Sequence, residues 1–350
     1  MEVKALKFGG LTAKRPIVQG GMGVGVSLSS LAGNVAKCGG VGTISGVHPG
    51  YREADFKENP FRANLRAIGN ELEKAKEIAN GGIIGFNFMT VMNHYEEYVK
   101  EAIAAGADFI VSGAGLPANL AKYAAGTRAA ILPIVSSARA LKLIVKQWQR
   151  ADRLPDAVVV EGPLAGGHLG YPYGHLVDGT FDTLEDSLVD VVDYVRELEE
   201  KNGVKIPVIA GGGVRNHADM ERLMALGASG VQVGTKFVAT EECDAAPAFK
   251  QAYLRSRKED VQLIESPVGL AARAIRNSFL EKVEKQGRIP VQRCYQCMNH
   301  CKQAETKYCI SQTLIDAVQG REGLVFCGAN AYEIEKLSTV EKVMQELCGE

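Results

Sequence analysis

Residues 207–213 read PVIAGGG and residues 230–237 read GVQVGTKF. Each begins as a near-continuous apolar run and ends in glycine. A strand buried on both faces in a parallel sheet has this look, and its exit turn wants residues without a Cβ. Two such ends in succession leave backbone N–H groups uncovered, and convergent N–H groups form a nest for an anion. Gly212, Gly213, Gln232, Gly234 and Thr235 are the residues at that position, with the Thr235 hydroxyl as a further donor.

Working outward, six more runs of the same kind precede this pair. They are 16–22 (PIVQGGM), 41–46 (VGTISG), 83–89 (IIGFNFM), 108–115 (DFIVSGAG), 130–137 (AAILPIVS) and 157–162 (AVVVEG). Helical stretches separate them, among them 70–80, 94–105, 184–201 and 217–226. In 184–201, Leu188, Val191, Val192, Val195 and Leu198 recur at helical spacing. Eight strand–helix units predict an α/β fold of the closed (β/α)8 TIM-barrel type, with its phosphate site after strands seven and eight. A doubly wound open sheet would carry a G-x-G-x-x-G fingerprint in its first turn. Here Gly21-x-Gly23 is followed by Val26 at the third position, so the fingerprint fails.

Composition sets the class. Hydrophobic residues are 46% and charged residues 23% of the 350, and formal net charge is −1. That balance gives no field to draw nucleic acid or an anionic membrane. No apolar run approaches the roughly 20 residues of a membrane span. Residues 1–10 lack the basic start and apolar block of a signal peptide, so a cytoplasmic protein is expected.

The mouth of the expected barrel gathers the polar candidates. Residues 165–170 read AGGHLG, just past strand six, and His168 projects there between glycines that allow close approach of a ligand. Histidine moves a proton near neutral pH. His175 is a weaker candidate. At the end of strand one, Gly20 and Gly21 let a planar ring lie against the backbone, and Gln19 and Asn87 offer amides to its heteroatoms. Two long loops, 47–62 and 163–183, leave the same ends of the barrel. Tyr171 and Tyr173 in the second read as pocket-shaping or as packing residues.

Beyond residue 237 the repeat breaks. The expected division is a barrel over 1–237, a small helical region on the substrate side over 238–293, and a Cys-rich segment with a final helix (339–348) over 294–350. Four of the eight cysteines, Cys294, Cys297, Cys301 and Cys309, crowd into the last part. Four thiolates so spaced suit a [4Fe–4S] cluster. Zinc is the rival, since C-x2-C is also a zinc half-site and His300 adds a nitrogen. Free or disulfide-bonded cysteines are the third reading.

The motifs PIVQGGMG (16–23), EGPLAGGHLG (161–170), IAGGGV (209–214) and LGASGVQVGTKFVATEE (226–242), with LAARAIRNSF at 270–279, resemble the nitronate monooxygenase family, which includes flavin-dependent enoyl-ACP reductases. The resemblance implies an FMN-dependent oxidoreductase acting on a nitronate or a similar small activated substrate, or an enoyl reductase using NAD(P)H or an iron–sulfur donor. It implies that His168 is the catalytic acid or base. It places Gly212, Gly213, Gln232, Gly234 and Thr235 at the FMN phosphate. Gln19, Gly20, Gly21, Met22 and Asn87 then surround the ring, and Gly166 and Gly167 pass close to it. Glu161 stands where many members carry glutamine. The cysteine tail departs from the pattern and brings in a redox protein donor as an expected partner. A homo-oligomer stays open.

Two other classes compete. A non-flavin barrel of the inosine-monophosphate dehydrogenase type would want a cysteine after strand six, where there is none. An electron-relay protein would need no histidine in the mouth.

Overall fold

The computed structural model describes residues 4–298 and 301–350. Eight parallel strands close into a barrel, in the order seven, eight, one, two, three, four, five, six. They are Ile17–Gln19, Val41–Ser45, Ile83–Met89, Phe109–Gly113, Ala130–Val135, Val158–Glu161, Val208–Gly211 and Gly230–Val233. All eight coincide with the runs read from the sequence. Strand six shows why: Val158, Val159 and Val160 are all fully buried. β-branched side chains fit the pleated wall of a barrel on either face.

The bottom of the barrel is plugged. A hairpin of Leu6–Phe8 and Leu11–Ala13 lays Leu6 and Phe8 beneath Val18, Val41, Val111 and Ile209. Phe8 meets Phe109 edge to face, with ring centroids 6.0 Å apart. The opposite end is therefore the one left for a site.

The outer helices start where side chains can cap them. Thr183 and Asp186 form a reciprocal capping box at the head of helix Leu184–Asn202, and Gly203 ends it in the left-handed conformation. Helix Pro60–Ala79 begins ten residues earlier than its periodicity suggested, because Asn59 caps it and Pro60 fits its first turn.

The reading of 238–293 as a helical unit needs correction. Helices Pro247–Arg255 and Ser278–Gln286 flank two antiparallel strands, Val261–Glu265 and Ala271–Ile275. The second pairs with a short strand, Gly167–Leu169, in the loop after strand six. Residues 271–275 are nearly all small or charged (AARAI) and lack the apolar alternation that announces a strand. Their five positions are buried all the same.

The final helix, Val340–Cys348, packs against helices Ser29–Lys37 and His217–Ala225. Those are the helices that follow strands one and seven, so the final helix fills the eighth helical position of the barrel. The chain between strand eight and that helix carries the whole appendage. Asp244, in this inserted part, accepts backbone N–H bonds from Leu28, Ser30 and Leu31 and so caps the first barrel helix.

Candidate active site

Strand register builds the mouth. Gly211 stands level with Glu161 on one side and Gln232 on the other, Val233 with Gln19, and Ser45 with Asn87. The carboxyl ends of strands one, two, three, six, seven and eight thus form one rim.

Above the rim lies a cavity of about 450 Å³. Of the residues expected around a cofactor, Gly20, Gly21, Met22, Asn87, Glu161, Gly166, Gly167, Gly212, Gly213, Gln232, Gly234 and Thr235 all line it. Two glycines show what the space requires. A Cβ on Gly21 would stand 2.4 Å from the Asn87 Cβ, so only glycine lets Asn87 reach in. Gly212 has φ +103°, and its added Cβ would press on the Ala165 backbone nitrogen at 3.0 Å. Both its conformation and its clearance exclude a side chain.

Gln19 is the exception. It is fully buried beneath the rim and is not part of the cavity wall. Its Oε1 accepts the Thr43 N–H at 3.0 Å and its Nε2 donates to the Gly20 carbonyl. Oε1 thus ties strand one to strand two, Nε2 bonds back to the adjoining residue, and the amide lies outside the cavity wall where a ring contact was expected.

His168 sits on the strand Gly167–Leu169, opposite Ala272. Its Nε2 lies 2.8 Å from Ser266 Oγ, and its ring meets Phe326 edge to face at 4.9 Å. Burial pushes its pKa down to about 4, so the imidazole is neutral at physiological pH. Buried Arg273, on the neighbouring strand, donates to the Ala165 carbonyl and fixes the loop that leads into His168.

Three cavities meet at this ring. One is the glycine-lined cavity. The second, of about 880 Å³, is an open cleft walled by Tyr171, Tyr173, Glu265 and Leu270. The third is a narrow apolar pocket that runs past His48, Met92 and Leu314 toward Cys297. Glu161 faces the first two. Desolvation raises its pKa to about 7. Tyr171 donates to the Glu161 carbonyl at 3.2 Å, while Tyr173 is exposed on the cleft. His175 lies on the helix Tyr173–Asp178 and lines none of the three.

The sequence reading missed one wall. Residues 326–330 (FCGAN) return from the inserted part and close the glycine-lined cavity. The Gly328 N–H donates to Thr235 Oγ1 at 3.1 Å. Arg215 and Lys236 stand in the same wall, paired with Asp219, Glu333 and Glu346. The signal available was the short FCGAN stretch itself, a glycine between small residues far from any barrel strand. Ser266 was also missed; it sits in the turn between two strands that were not foreseen.

Cys294, Cys297, Cys301 and Cys309 border one further cavity of about 240 Å³. None is in a disulfide. Among the described residues, no three His, Cys, Asp or Glu side chains stand close enough to hold a metal ion. His300, the nitrogen ligand considered above, lies outside the described residues.

With this geometry in place, likeness to known proteins can be weighed. The nitronate monooxygenase family model matches residues 4–350. The chain belongs to the nitronate monooxygenase family. It is thereby a flavin-dependent oxidoreductase. The match runs through the inserted part and the cysteine segment as well as the barrel. A probable nitronate monooxygenase of Staphylococcus saprophyticus is 26% identical over 306 residues, covering 81% of this chain and 82% of the relative. Two solved structures share the fold. FabK from Thermotoga maritima superposes with a TM-score of 0.72 at 24% identity, covering 96% of this chain and 92% of the other. A nitroalkane oxidase from Streptomyces ansochromogenes gives 0.69 at 20% identity, covering 96% and 95%. No helix among the described residues is long and apolar enough to cross a membrane.

Proposed function

We propose that this family member binds FMN in the glycine-lined cavity and oxidises a nitronate or a similar small activated substrate, with His168 as the acid or base beside the flavin, accepting the α-proton where the substrate enters as the neutral carbon acid. The observation that carries this reading is the neutral His168 held at the meeting point of the cofactor cavity and the open cleft. The cavity fits the cofactor. About 450 Å³ is within the range of cofactor pockets, and its floor is backbone where a Cβ would collide. Gly212, Gly213, Gly234 and Thr235 would hold the phosphate through backbone N–H groups and the threonine hydroxyl. Asn87, Gly20, Gly21 and Met22 would face the ring.

When bound, the flavin supplies a two-electron acceptor beside the substrate carbon. The rest belongs to the chain. In the tautomer in which Nε2 donates to Ser266 Oγ, the His168 Nδ1 carries a free lone pair. That nitrogen takes the α-proton of a neutral carbon acid lying in the cleft, a step that a nitronate, already deprotonated, does not need. Ser266 and Phe326 hold the ring in plane for the transfer. Phe326 and Leu270 keep water from the reacting face, while the Tyr171 and Tyr173 side bounds the substrate.

A second reading has its own observation. A reductase that delivers hydride to an activated double bond needs a proton donor, and a neutral His168 is poorly placed to be one. Glu161, with its pKa near 7, keeps its proton for much of the time and faces the same cleft.

The test is purification with FMN followed by two assays. Substrate-dependent oxygen uptake with a nitronate supports the first reading. NAD(P)H oxidation that requires an enoyl thioester, and is lost in Glu161→Gln, supports the second. A protein that binds no FMN overturns both.

A further inference from the structure

We propose that Cys294, Cys297, Cys301 and Cys309 hold a [4Fe–4S] cluster in the cavity that they border. All four thiols face one space of about 240 Å³. Its remaining wall is Pro267, Val291, Tyr295, Met298, Tyr308 and Ile310 together with neutral amides, and among the described residues no Lys, Arg, Asp or Glu lines it. Four free thiols around an uncharged space, with no disulfide among them, are unusual as packing.

The Gln296 N–H donates to Cys294 Sγ at 3.3 Å. Cys309 stands at the N-cap position of helix Ile310–Val318, next to the first N–H groups of that helix. N–H donors to sulfur are what tunes and shields a cluster's thiolates.

Four cysteine thiolates on one cavity are the ligand set of a cubane of four irons, and zinc on the same sulfurs is the outcome that would count against it.

The cluster would not be isolated. Cys297, Met298, Ile310, Tyr295 and Asn93 border both its cavity and the narrow apolar pocket, and that pocket ends at His168 and Leu314 in the wall of the flavin cavity.

The experiment is anaerobic purification with iron, acid-labile sulfide, zinc and flavin each measured per chain, followed by low-temperature EPR after dithionite. About four irons and four sulfides per chain are expected, with an EPR signal that Cys297→Ser or Cys294→Ser abolishes and Cys38→Ser leaves unchanged. Flavin content and circular dichroism report separately whether each variant folds and keeps its FMN. Stoichiometric zinc without sulfide, or four thiols that alkylate freely in the native protein with no iron present, would overturn the proposal. Because flavin is measured on its own, failure of the flavin reading and failure of the cluster reading are told apart.

Discussion

His168 Nε2 and Ser266 Oγ lie 2.8 Å apart although 98 positions separate them in the chain. One comes from the loop after strand six and the other from the inserted hairpin. Their contact, with the wall formed by residues 326–330, brings the insertion to the candidate site. Ser266→Ala is expected to lower kcat about 10- to 100-fold through misplacement of the ring, with FMN content unchanged. Ser266→Thr, which keeps the hydroxyl, should recover most of the loss. Equal kcat in the alanine variant would show that the ring is oriented by packing on Phe326 alone.

Removing the base itself is more severe. His168→Ala is expected to cost about 10²- to 10⁴-fold in kcat for a carbon acid, the usual range for a general base. FMN should stay bound, read by its absorbance after gel filtration. Loss of flavin instead would make His168 a wall residue.

Glu161→Gln tests the raised carboxyl. Its pKa of about 7 in the folded chain stands above the ordinary carboxyl value of 4.5. Between those values the folded state holds a proton that the unfolded state has lost, so stability falls as pH rises through the window. The glutamine variant should match the parent at pH 4.5 and exceed it at pH 8 in urea unfolding, by an amount of order 1–3 kcal/mol. Parallel curves at both pH values would place the carboxylate in a better-solvated setting.

His48 has the opposite sign. It is buried, bonded at 2.8 Å through Nε2 to Ser311 Oγ, and close through Nδ1 to the Asn64 amide at 3.3 Å. Burial lowers its pKa from 6.5 to about 4. The unfolded chain therefore binds the extra proton in that interval, and stability falls as pH drops from 6.5 toward 4. The contribution is of order 3 kcal/mol at most. His48→Gln should flatten the acid limb of a stability–pH curve by about one proton; an unchanged slope would assign that limb to other groups.

Gly212→Ala addresses the phosphate end. The left-handed backbone costs a non-glycine residue about 1–2 kcal/mol, and the Cβ would meet Ala165. Weaker FMN binding is expected, by roughly tenfold or more, measured by titrating flavin fluorescence. An unaltered affinity would move the phosphate away from strand seven.

The barrel was legible because each strand is a short apolar run, most of them closed by glycine, and the rim because its glycines fall at those stops. Asn87 and Gln232 reach the cavity as expected. Gln19 does not, because a side chain at a strand end points either to the cavity or into the barrel, and the letter Q is the same in both cases. Ser266, Phe326 and Gly328 were hidden for a different reason. They reach the site by pairing of residues 167–169 with 271–275 and by the return of the chain through 326–330. Such long-range pairing leaves no local periodicity to read. The cysteine spacing was plain in the sequence, and the structure adds the shared cavity beneath it.

The position of the last helix has a bearing on how the molecule comes into being. All eight strands have been synthesised by Val233, yet the helix that completes the wall between helices Ser29–Lys37 and His217–Ala225 is made much later. Until then the apolar stripe that receives Val340, Val343, Met344 and Leu347 stays uncovered, a period in which a nascent chain is open to aggregation. Cutting the chain before the cysteines would make that exposure permanent. A version without the cysteine segment has to be made by internal excision, rejoining the flanks so that the terminal helix still reaches its groove.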